Sequence, residues 1–395
     1  MTEVQSSIVQ VGGGMAEPYS EYVMKRITTP WPHYAIDWSP NSANFCQLAV
    51  SSFLPSQHNY VQILRVADPS SIFEKVTEAL PIEYIATKVM WSPAVIKGSE
   101  YLAAAGDGVY IWKGDGMGYM LTGRLINKHG QRRSSADYLY TQQADGVGAA
   151  SEAGHGRNPS APITSFDWNR LDPTRLVTAS YDTTCTVWCL ETGSIRTQLI
   201  AHDKEVFDVA FCPNGTETFV SVGADGSLRL FDIRNLDHST IIYESPEARP
   251  LLRVAWNTLD PNYLACFAID SNKTVIMDVR MPSVPAAEIF DSNSNSNTMA
   301  IVAMKWSPTS SSHLMTADER WVRIYDLSET TDRNSYCKAR FAAMQPPCPP
   351  NDKMNQSSMQ QSVLDPTPIQ SLLWPASAPD WIGVSSSDQI SISHL

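Results

Sequence analysis

The residue types used in acid–base and nucleophilic catalysis lie close together at one place in this sequence. His202, Ser221 and Asp225 fall within one short stretch, and a histidine bonded to a carboxylate is the arrangement that activates a hydroxyl nucleophile. The same residue types also form buried polar networks that hold a sheet together when every member is hydrogen-bonded. His202 precedes one predicted strand, Ser221 lies in the next, Asp225 follows in a turn, and Phe231 lies in a third strand. This order favours a structural network over a catalytic dyad.

Other patterns that could support chemistry have weaker support. Cys185 and Cys189 lie four residues apart on one predicted strand, but no second pair accompanies them, so packing in the core is favoured over zinc binding. The sequence contains no glycine-rich phosphate loop after a strand, no nucleophile elbow and no HExxH motif. We therefore predict a protein that is not an enzyme, with no catalytic residue, no bound metal and no cofactor.

Two pairs of opposite charges suggest binding instead. Asp232 and Arg234 end one predicted strand, and Asp278 and Arg280 end the corresponding strand of the next repeat. Arginine suits interfaces because its planar guanidinium binds carboxylates through two hydrogen bonds and loses water more easily than lysine does. Two interpretations stay open: the pairs form a binding surface on one rim of the fold, or each aspartate and arginine bond only within their own repeat.

An internal repeat determines the architecture that must position these residues. A short apolar run, an aromatic residue and then often Ser-Pro or Asn recur along the chain. The aromatic residues of the seven copies are Trp38, Trp91, Trp168, Phe211, Trp256, Trp306 and Trp374. From Trp168 to Trp306 their spacing is close to the ~40–45 residues of a four-stranded propeller blade. The longer intervals contain recognisable insertions.

Each copy is followed by further short β-rich runs that are separated by Gly, Asp or Asn turns, and helical periodicity is absent. Inner strands of a propeller are buried on both faces between blades, which explains the nearly continuous apolar runs. The sequence therefore predicts an all-β fold: a seven-bladed WD-repeat β-propeller with four antiparallel strands per blade. Residues 21–27 are predicted to be the outermost strand of the seventh blade, so that an N-terminal strand closes the ring.

The predicted domain organisation is a flexible tail at residues 1–18 followed by the propeller at residues 19–395. Two segments without apolar periodicity, at about 127–161 and 345–368, are expected to be disordered insertions, and residues 291–298 form a polar loop. These segments are interpreted as variable filler. Because Ser134 and Ser135 follow two arginines, a docking or modification segment is the alternative for the first insertion.

Composition narrows the classes of partner and the compartment. The chain has 29 basic and 41 acidic residues and a net charge of −12, which disfavours binding to phosphate backbones. Its seven cysteines are odd in number and scattered, as expected of a reduced, intracellular protein. No secretory leader is recognisable, and no segment approaches the ~20 apolar residues of a membrane helix. We expect a cytoplasmic and nuclear protein that contacts neither membrane nor nucleic acid directly and is a monomer within complexes.

Several stretches resemble one subfamily of WD-repeat proteins. They include PITSFDWN from Pro162, YDTTCTVWCLETG from Tyr181 and SVGADGSLRLFDIRNLDHSTIIYE from Ser221. The subfamily is represented by the plant TRANSPARENT TESTA GLABRA and anthocyanin regulators and by an animal relative associated with cullin ubiquitin ligases. The resemblance is most specific from Pro162 to Asp278 and looser over all seven blades. It fails in the insertions, in the N-terminal tail and in much of blade six.

The resemblance implies a non-catalytic scaffold that assembles protein kinases or transcription factors, and this is the main functional prediction. The alternative it implies is a substrate receptor that docks on the damaged-DNA-binding adaptor of a cullin-RING ubiquitin ligase; the two roles are compatible. The adaptor-binding box of the family would fall on Asp225, Phe231, Asp232 and Arg234, and again on Asp270, Asp278 and Arg280. Met277 stands where the second box usually has an aromatic residue. An enzyme would instead need a polar pocket in the ring channel, and a histone reader an acidic channel mouth.

Overall fold

The computed structural model describes residues 5–10, 23–40, 45–55, 58–66, 74–76, 79–116, 118–127, 161–290, 299–328, 339–344 and 368–395. They form seven antiparallel sheets. Each inner strand contacts the inner strands of both neighbouring sheets, from the first sheet round to the seventh and back. The structure is therefore a closed seven-bladed β-propeller, which confirms the predicted fold. No helix suited to crossing a membrane occurs in this part of the chain.

The strands are numbered in chain order, and those of each blade are called a to d from the channel outwards. The N-terminal strands and blade 1 are β1 (Gln5–Gln10), β2 (Val23–Thr28), β3 (His33–Trp38), β4 (Cys46–Ser52), β5 (Asn59–Val66), β6 (Glu74–Lys75) and β7 (Leu80–Ile82). Blade 2 is β8 (Lys88–Trp91), β9 (Tyr101–Ala105), β10 (Val109–Gly114) and β11 (Tyr119–Leu125). Blade 3 is β12 (Ile163–Trp168), β13 (Arg175–Ser180), β14 (Thr184–Cys189) and β15 (Ser194–Ile200).

The next three blades follow the same order. Blade 4 is β16 (Val206–Phe211), β17 (Thr218–Gly223), β18 (Ser227–Asp232) and β19 (Asn235–Glu244). Blade 5 is β20 (Leu251–Trp256), β21 (Tyr263–Ala268), β22 (Lys273–Asp278) and β23 (Pro285–Phe290). Blade 6 is β24 (Ile301–Trp306), β25 (His313–Asp318), β26 (Val322–Asp326) and β27 (Ala339–Met344). Strands a to c of blade 7 are β28 (Ile369–Leu373), β29 (Trp381–Ser386) and β30 (Gln389–His394).

Blade 7 closes the ring as predicted, because β2 supplies its strand d. It pairs antiparallel with β30, from Met24 opposite Ser393 to Thr28 opposite Gln389. The expectation of a flexible tail at residues 1–18 is wrong for residues 5–10: β1 pairs with β2 as a fifth strand. Backbone pairing of this kind satisfies an edge that would otherwise stay open. The rest of the predicted tail lies outside the described residues.

A buried histidine lies at the same junction. His33 is almost inaccessible to solvent, and its two ring nitrogens lie 3.1 Å from Thr29 Oγ1 and 3.0 Å from Ser385 Oγ. Burial lowers the pKa of His33 to about 4, because the interior disfavours the charged form of the ring. The histidine therefore joins strand β29 to the start of blade 1 as a neutral ring.

The hydrophobic core lies between blades rather than within one. One cluster combines Val177 and Val187 of blade 3 with Val209, Phe219 and Phe231 of blade 4. Six of the seven repeated aromatic residues are at most 7% exposed, and Trp374 is half-buried. Since each fully buried large side chain contributes about 1.5–3 kcal/mol, every blade depends on its neighbours for burial. This interdependence is why the ring, and not the blade, is the unit that folds.

The predicted insertions lie mostly outside the described residues, but one boundary needs correction. Asn127, placed at the start of the first insertion, is only 1% exposed and belongs to the ring. Its amide nitrogen donates to Asp182 Oδ2 at 2.9 Å and to Thr184 Oγ1 at 3.1 Å. Residues 128–160, 291–298 and 345–367 are outside the described part of the chain.

Candidate functional site

The structure brings His202, Ser221 and Asp225 together in blade 4. The His202 Nδ1 atom lies 3.0 Å from Asp225 Oδ1, and its Nε2 atom lies 2.8 Å from Ser221 Oγ. Because an ionised carboxylate only accepts hydrogen bonds, Nδ1 is the donor and Nε2 accepts from the serine. Phe231 takes no part in the hydrogen bonds and stacks on Phe219, with the ring centroids 5.1 Å apart.

The triad is enclosed by its own blade. His202 and Ser221 are at most 1% exposed, and a Cβ atom added to Gly223 would lie 2.9 Å from the histidine ring. Burial raises the pKa of Asp225, but hydrogen bonds from His202 and Ser227 outweigh it and hold the pKa far below its usual range. An ionised aspartate that is fully bonded to buried partners stabilises a corner of the blade. The hydrogen bonds therefore join the loop before strand a, strand b and the b–c turn of blade 4, and a purely structural role for them stays a prediction.

The two Asp–Arg pairs have the same local geometry. Arg234 donates from its backbone N (3.0 Å) and Nε (2.9 Å) to Asp232 Oδ1, and from Nη2 to Oδ2 at 2.5 Å. Arg280 donates from its backbone N (2.9 Å) and Nε (2.9 Å) to Asp278 Oδ1, and from Nη2 to Oδ2 at 2.6 Å. Each pair thus bonds within its own blade, and a carboxylate fixes the direction in which each guanidinium points.

The arginines nevertheless face solvent. The side chains of Arg234 and Arg280 are 70% and 58% exposed, whereas their aspartates are 32% and 11% exposed. The hydrogen bond from Arg234 is the main reason why the pKa of Asp232 falls to about 2, and Arg280 lowers the pKa of Asp278 in the same way. Within the described residues, neither Nη1 atom has a hydrogen bond. We call Asp232, Arg234, Asp278 and Arg280 the Asp–Arg surface.

Both pairs lie at one end of their blades, because strands a and c run in the same direction and the a–b and c–d turns share a rim. The turn after Asp278 also touches blade 4, where Ser283 N donates to Ile242 O at 2.8 Å. Of the other box residues implied by the family resemblance, Phe231 directly precedes Asp232 in β18, and two are not brought to this rim. Asp225 and Asp270 lie in b–c turns at the opposite ends of strands β18 and β22.

The ring channel contains charged side chains that sequence reasoning missed. Three inner-strand carboxylates accept hydrogen bonds from the backbone of the next blade: Asp37 from Trp91 N (2.8 Å), Asp167 from Phe211 N (2.7 Å) and Asp208 from Val254 N (3.1 Å). Burial raises the pKa of Asp37 and of Asp167. The spacing could have revealed two of them, because Asp37 and Asp167 both directly precede the repeated tryptophan. These carboxylates link adjacent inner strands.

Cations in the channel balance this charge. Lys88 Nζ lies 3.8 Å from Asp208 Oδ1 and donates to Ser165 Oγ at 3.3 Å, and Ser165 donates to the same carboxylate oxygen at 2.5 Å. The charge of Lys305, on the inner strand β24, partly offsets the rise in the pKa of Asp37. The channel wall is therefore of mixed charge rather than acidic. In the described part of the chain, no three histidine, cysteine, aspartate or glutamate residues are grouped so that they could hold a metal ion.

Comparison with known proteins agrees with this architecture. The family "WD domain, G-beta repeat" matches residues 151–189 and 193–232. The chain is 40% identical over 380 residues to the "DDB1- and CUL4-associated factor 7 homolog" of Dictyostelium discoideum, an alignment that covers 93% of this chain and 98% of that relative. It is 34% identical over 324 residues to an uncharacterized WD repeat-containing protein of Schizosaccharomyces pombe, with 76% of this chain and 68% of the relative covered.

A third relative is a WD repeat-containing protein of Saccharomyces cerevisiae, 34% identical over 319 residues, with 76% of this chain and 57% of the relative covered. The Dictyostelium relative agrees with the cullin-ligase side of the predicted resemblance, while the similarity to the plant regulators stays a prediction. By the extent of the match to the Dictyostelium protein, the chain belongs to the DDB1- and CUL4-associated factor 7 family of WD-repeat proteins.

Proposed function

We propose that this protein is a non-catalytic substrate receptor of a cullin-RING ubiquitin ligase and that it docks on the adaptor DDB1 through the Asp–Arg surface. The Dictyostelium relative is named for an association with DDB1 and CUL4. The observation that carries the proposal is the pair of identical Asp–Arg units on adjacent blades and on one rim. Among the two predicted roles, the receptor role therefore stands ahead of the kinase or transcription-factor scaffold.

The geometry suits recognition because the guanidiniums are held before the partner arrives. An unpaired arginine would lose side-chain freedom on binding, which costs about 0.5–1.5 kcal/mol per immobilised side chain. Here Asp232 and Asp278 already fix Nε and Nη2 of their arginines, so that Nη1 can donate to carbonyl or carboxylate oxygens of the adaptor. Replacing either aspartate would free its arginine, and replacing either arginine would remove the donor.

The decisive experiment compares exposed arginines that each pair with the carboxylate two residues earlier, on opposite rims. The double substitution Arg234→Ala and Arg280→Ala should weaken binding to purified DDB1 by at least about tenfold, the effect of losing ~1.4 kcal/mol. Arg249→Ala is the matched control, because Arg249 is 51% exposed and pairs with Glu247 at 2.6 Å, two residues earlier, in the turn between β19 and β20. The control should bind DDB1 normally, and all variants should melt like the wild type.

Wild-type protein that does not bind DDB1 would contradict the receptor role. Equal affinities for the double variant and the wild type would contradict docking through the Asp–Arg surface. Titration by calorimetry at two salt concentrations adds a second readout. The contribution of the two arginines should shrink as salt rises, because exposed charges are screened within about 10 Å at 0.1 M ionic strength.

We also propose that kinases or transcription factors are clients that bind elsewhere on the same ring, in the cytoplasm and nucleus. The opposite rim has exposed aromatic side chains that could make such contacts. The ring centroids of Tyr34 and Phe53 lie 6.0 Å apart, and the side chain of Tyr181 is 55% exposed. Affinity purification with the double arginine variant tests this. Clients should be recovered while DDB1 is lost; recovery of neither class by the wild type would remove the scaffold role.

A further inference from the structure

Two exposed leucines lie on the rim that also carries the Asp–Arg surface. Leu171, in the a–b turn of blade 3, is 60% exposed, and Leu259, in the a–b turn of blade 5, is 49% exposed. Both turns contain the sequence Asn-x-Leu-Asp-Pro, at residues 169–173 and 257–261. The corresponding turn of blade 4 begins Cys212-Pro213-Asn214-Gly215 and has no leucine. The two leucines therefore flank blade 4 on one rim.

The leucines are held in place by their own turns. Asn169 Oδ1 accepts hydrogen bonds from Leu171 N (3.0 Å) and Asp172 N (2.8 Å), and Asn257 Oδ1 accepts from Leu259 N (3.0 Å) and Asp260 N (3.0 Å). The two asparagines also donate to the next blade, to Gly215 O at 3.0 Å and Ser311 O at 2.7 Å. An apolar side chain on such a fixed turn loses little freedom when it is buried by a partner.

Each leucine turn is connected to one arginine of the Asp–Arg surface. In blade 3, Arg175 Nη1 lies 2.5 Å from Glu217 Oε1. The backbone oxygen of Glu217 in turn accepts a hydrogen bond from Ile233 N at 2.7 Å, and Ile233 directly precedes Arg234. In blade 5, Val279 N donates to Asn262 O at 2.8 Å, and the Arg280 guanidinium lies 5.9 Å from the Tyr263 ring. Apolar and cationic groups are thus joined through short rigid contacts across three blades.

We infer that Leu171 and Leu259 are anchors of the docking surface, and that they enter an apolar recess of the adaptor whose edge supplies carboxylates to Arg234 and Arg280. This inference rests on the proposed function and adds two specificity-determining residues to it. The charge pattern supports a partner with an acidic edge, because the guanidiniums of Arg234 and Arg280 are the more exposed members of their ion pairs, while Asp232 and Asp278 are largely covered. Buried apolar anchors ringed by polar contacts are the usual source of affinity at such interfaces.

The test measures the affinity of purified DDB1 for the full chain carrying Leu171→Asp, Leu259→Asp or both. Each single substitution should weaken binding by about tenfold or more, because an aspartate would place an unpaired charge in an apolar recess and face the acidic edge. Ile200→Asp is the control, since Ile200 is 78% exposed at the other end of blade 3. It should bind DDB1 like the wild type, and the melting temperatures of all variants should agree.

The possible results distinguish the leucine anchors from the proposed receptor role. If the arginine double variant loses binding and both leucine variants keep it, the anchors are wrong and the receptor role stands. If the wild type does not bind DDB1, both proposals fail. If Ile200→Asp weakens binding as much as Leu171→Asp, the effect is general charge repulsion and the inference is also overturned.

Discussion

In blades 3 and 4, different residues connect the loop before strand a to the b–c turn. In blade 4, His202 joins Asp225 in the b–c turn to Ser221 in strand b. In blade 3, the residue that occupies the corresponding place, two positions after the preceding strand d, is Asn127, and it joins Asp182 to Thr184. The asparagine is shorter, and its hydrogen bonds within the described part of the chain reach the b–c turn and strands c and d rather than strand b.

The third strands show the reverse difference. Blade 3 has Trp188, whose indole nitrogen donates to Thr178 Oγ1 at 3.0 Å. Blade 4 has Phe231, which makes only ring contacts. Thr178 and Ser221 occupy the same register, each opposite the residue two before the repeated aromatic. Each blade thus keeps half of one polar network: the tryptophan half in blade 3 and the histidine half in blade 4. The two halves are physically separable, because each satisfies its own buried polar groups.

The largest effect that separates the two blades should come from Gly223→Ala. A Cβ atom at Gly223 would lie 2.9 Å from both the His202 ring and the backbone oxygen of Glu205, so the histidine must move and the network must break. We expect a loss of about 2–4 kcal/mol in the free energy of unfolding, from overpacking together with lost hydrogen bonds.

The matched site in blade 3 provides the control for this substitution. Ser180 holds the position of Gly223, because Ser180 is opposite Ile163 as Gly223 is opposite Val206. Ser180→Ala removes a hydroxyl and adds no atom, and should cost no more than about 1 kcal/mol. Chemical denaturation of both variants measures the difference. Equal losses in the free energy of unfolding would contradict the prediction that His202 makes blade 4 the more sensitive of the two blades.

The next effect concerns pH and depends on the charge of Asp225. Burial raises its pKa, but bonds from His202 and Ser227 hold the pKa of the folded protein well below the ordinary 3.8. A depressed carboxyl pKa stabilises the fold above the unfolded pKa, and this contribution is lost as pH falls through the folded pKa. Asp225→Asn should therefore cost about 1.5–3 kcal/mol at pH 7, with the gap to wild type closing below about pH 4.

Melting temperatures measured from pH 7 down to pH 3 test this linkage. Asp203→Asn is the control, because Asp203 is 83% exposed and lies beside the same Arg229 that contacts Asp225. Its melting profile should follow the wild type at every pH. A gap between Asp225→Asn and wild type that stays constant over the whole range would rule out ionisation as the source of the stability.

The sequence was sufficient to predict the seven-bladed ring, but it predicted only some of the residues that connect strands and blades. The seven aromatic positions predicted the blades because each lies in its own apolar run, and residues 21–27 predicted the closing strand because they form such a run before the first blade. Asn127 was missed because it adjoins a polar segment without periodicity, so only its distance from β11 indicates its role. Strand β1 was missed because its pairing with β2 depends on the closed ring and on no local pattern.

The Asp–Arg surface shows the same limit. The bonds lie within each blade, and the arginines face solvent on one rim, while a binding surface on that rim stays a prediction. Sequence alone could not decide between the two interpretations, because the direction of a guanidinium depends on the turn that holds it. The leucine turns were also missed, since an isolated Leu in a polar turn has no periodic signal.

The smallest effect sharpens the comparison at the b–c turns. Thr183 in blade 3 has a φ of 73°, and Gly226, its counterpart in blade 4, has a φ of 79°. A β-branched residue in this region is strained by about 1–2 kcal/mol, while glycine costs about 0.5–1 kcal/mol of extra backbone entropy. Thr183→Gly should therefore raise the free energy of unfolding by up to about 1 kcal/mol.

Gly226→Ala should lower the free energy of unfolding, because a Cβ atom there would also lie 3.0 Å from the carbonyl oxygen of Arg249. Thermal melting of the two variants decides whether the turns are equivalent: a destabilised Thr183→Gly would mean that the threonine side chain makes contacts that outweigh its backbone strain.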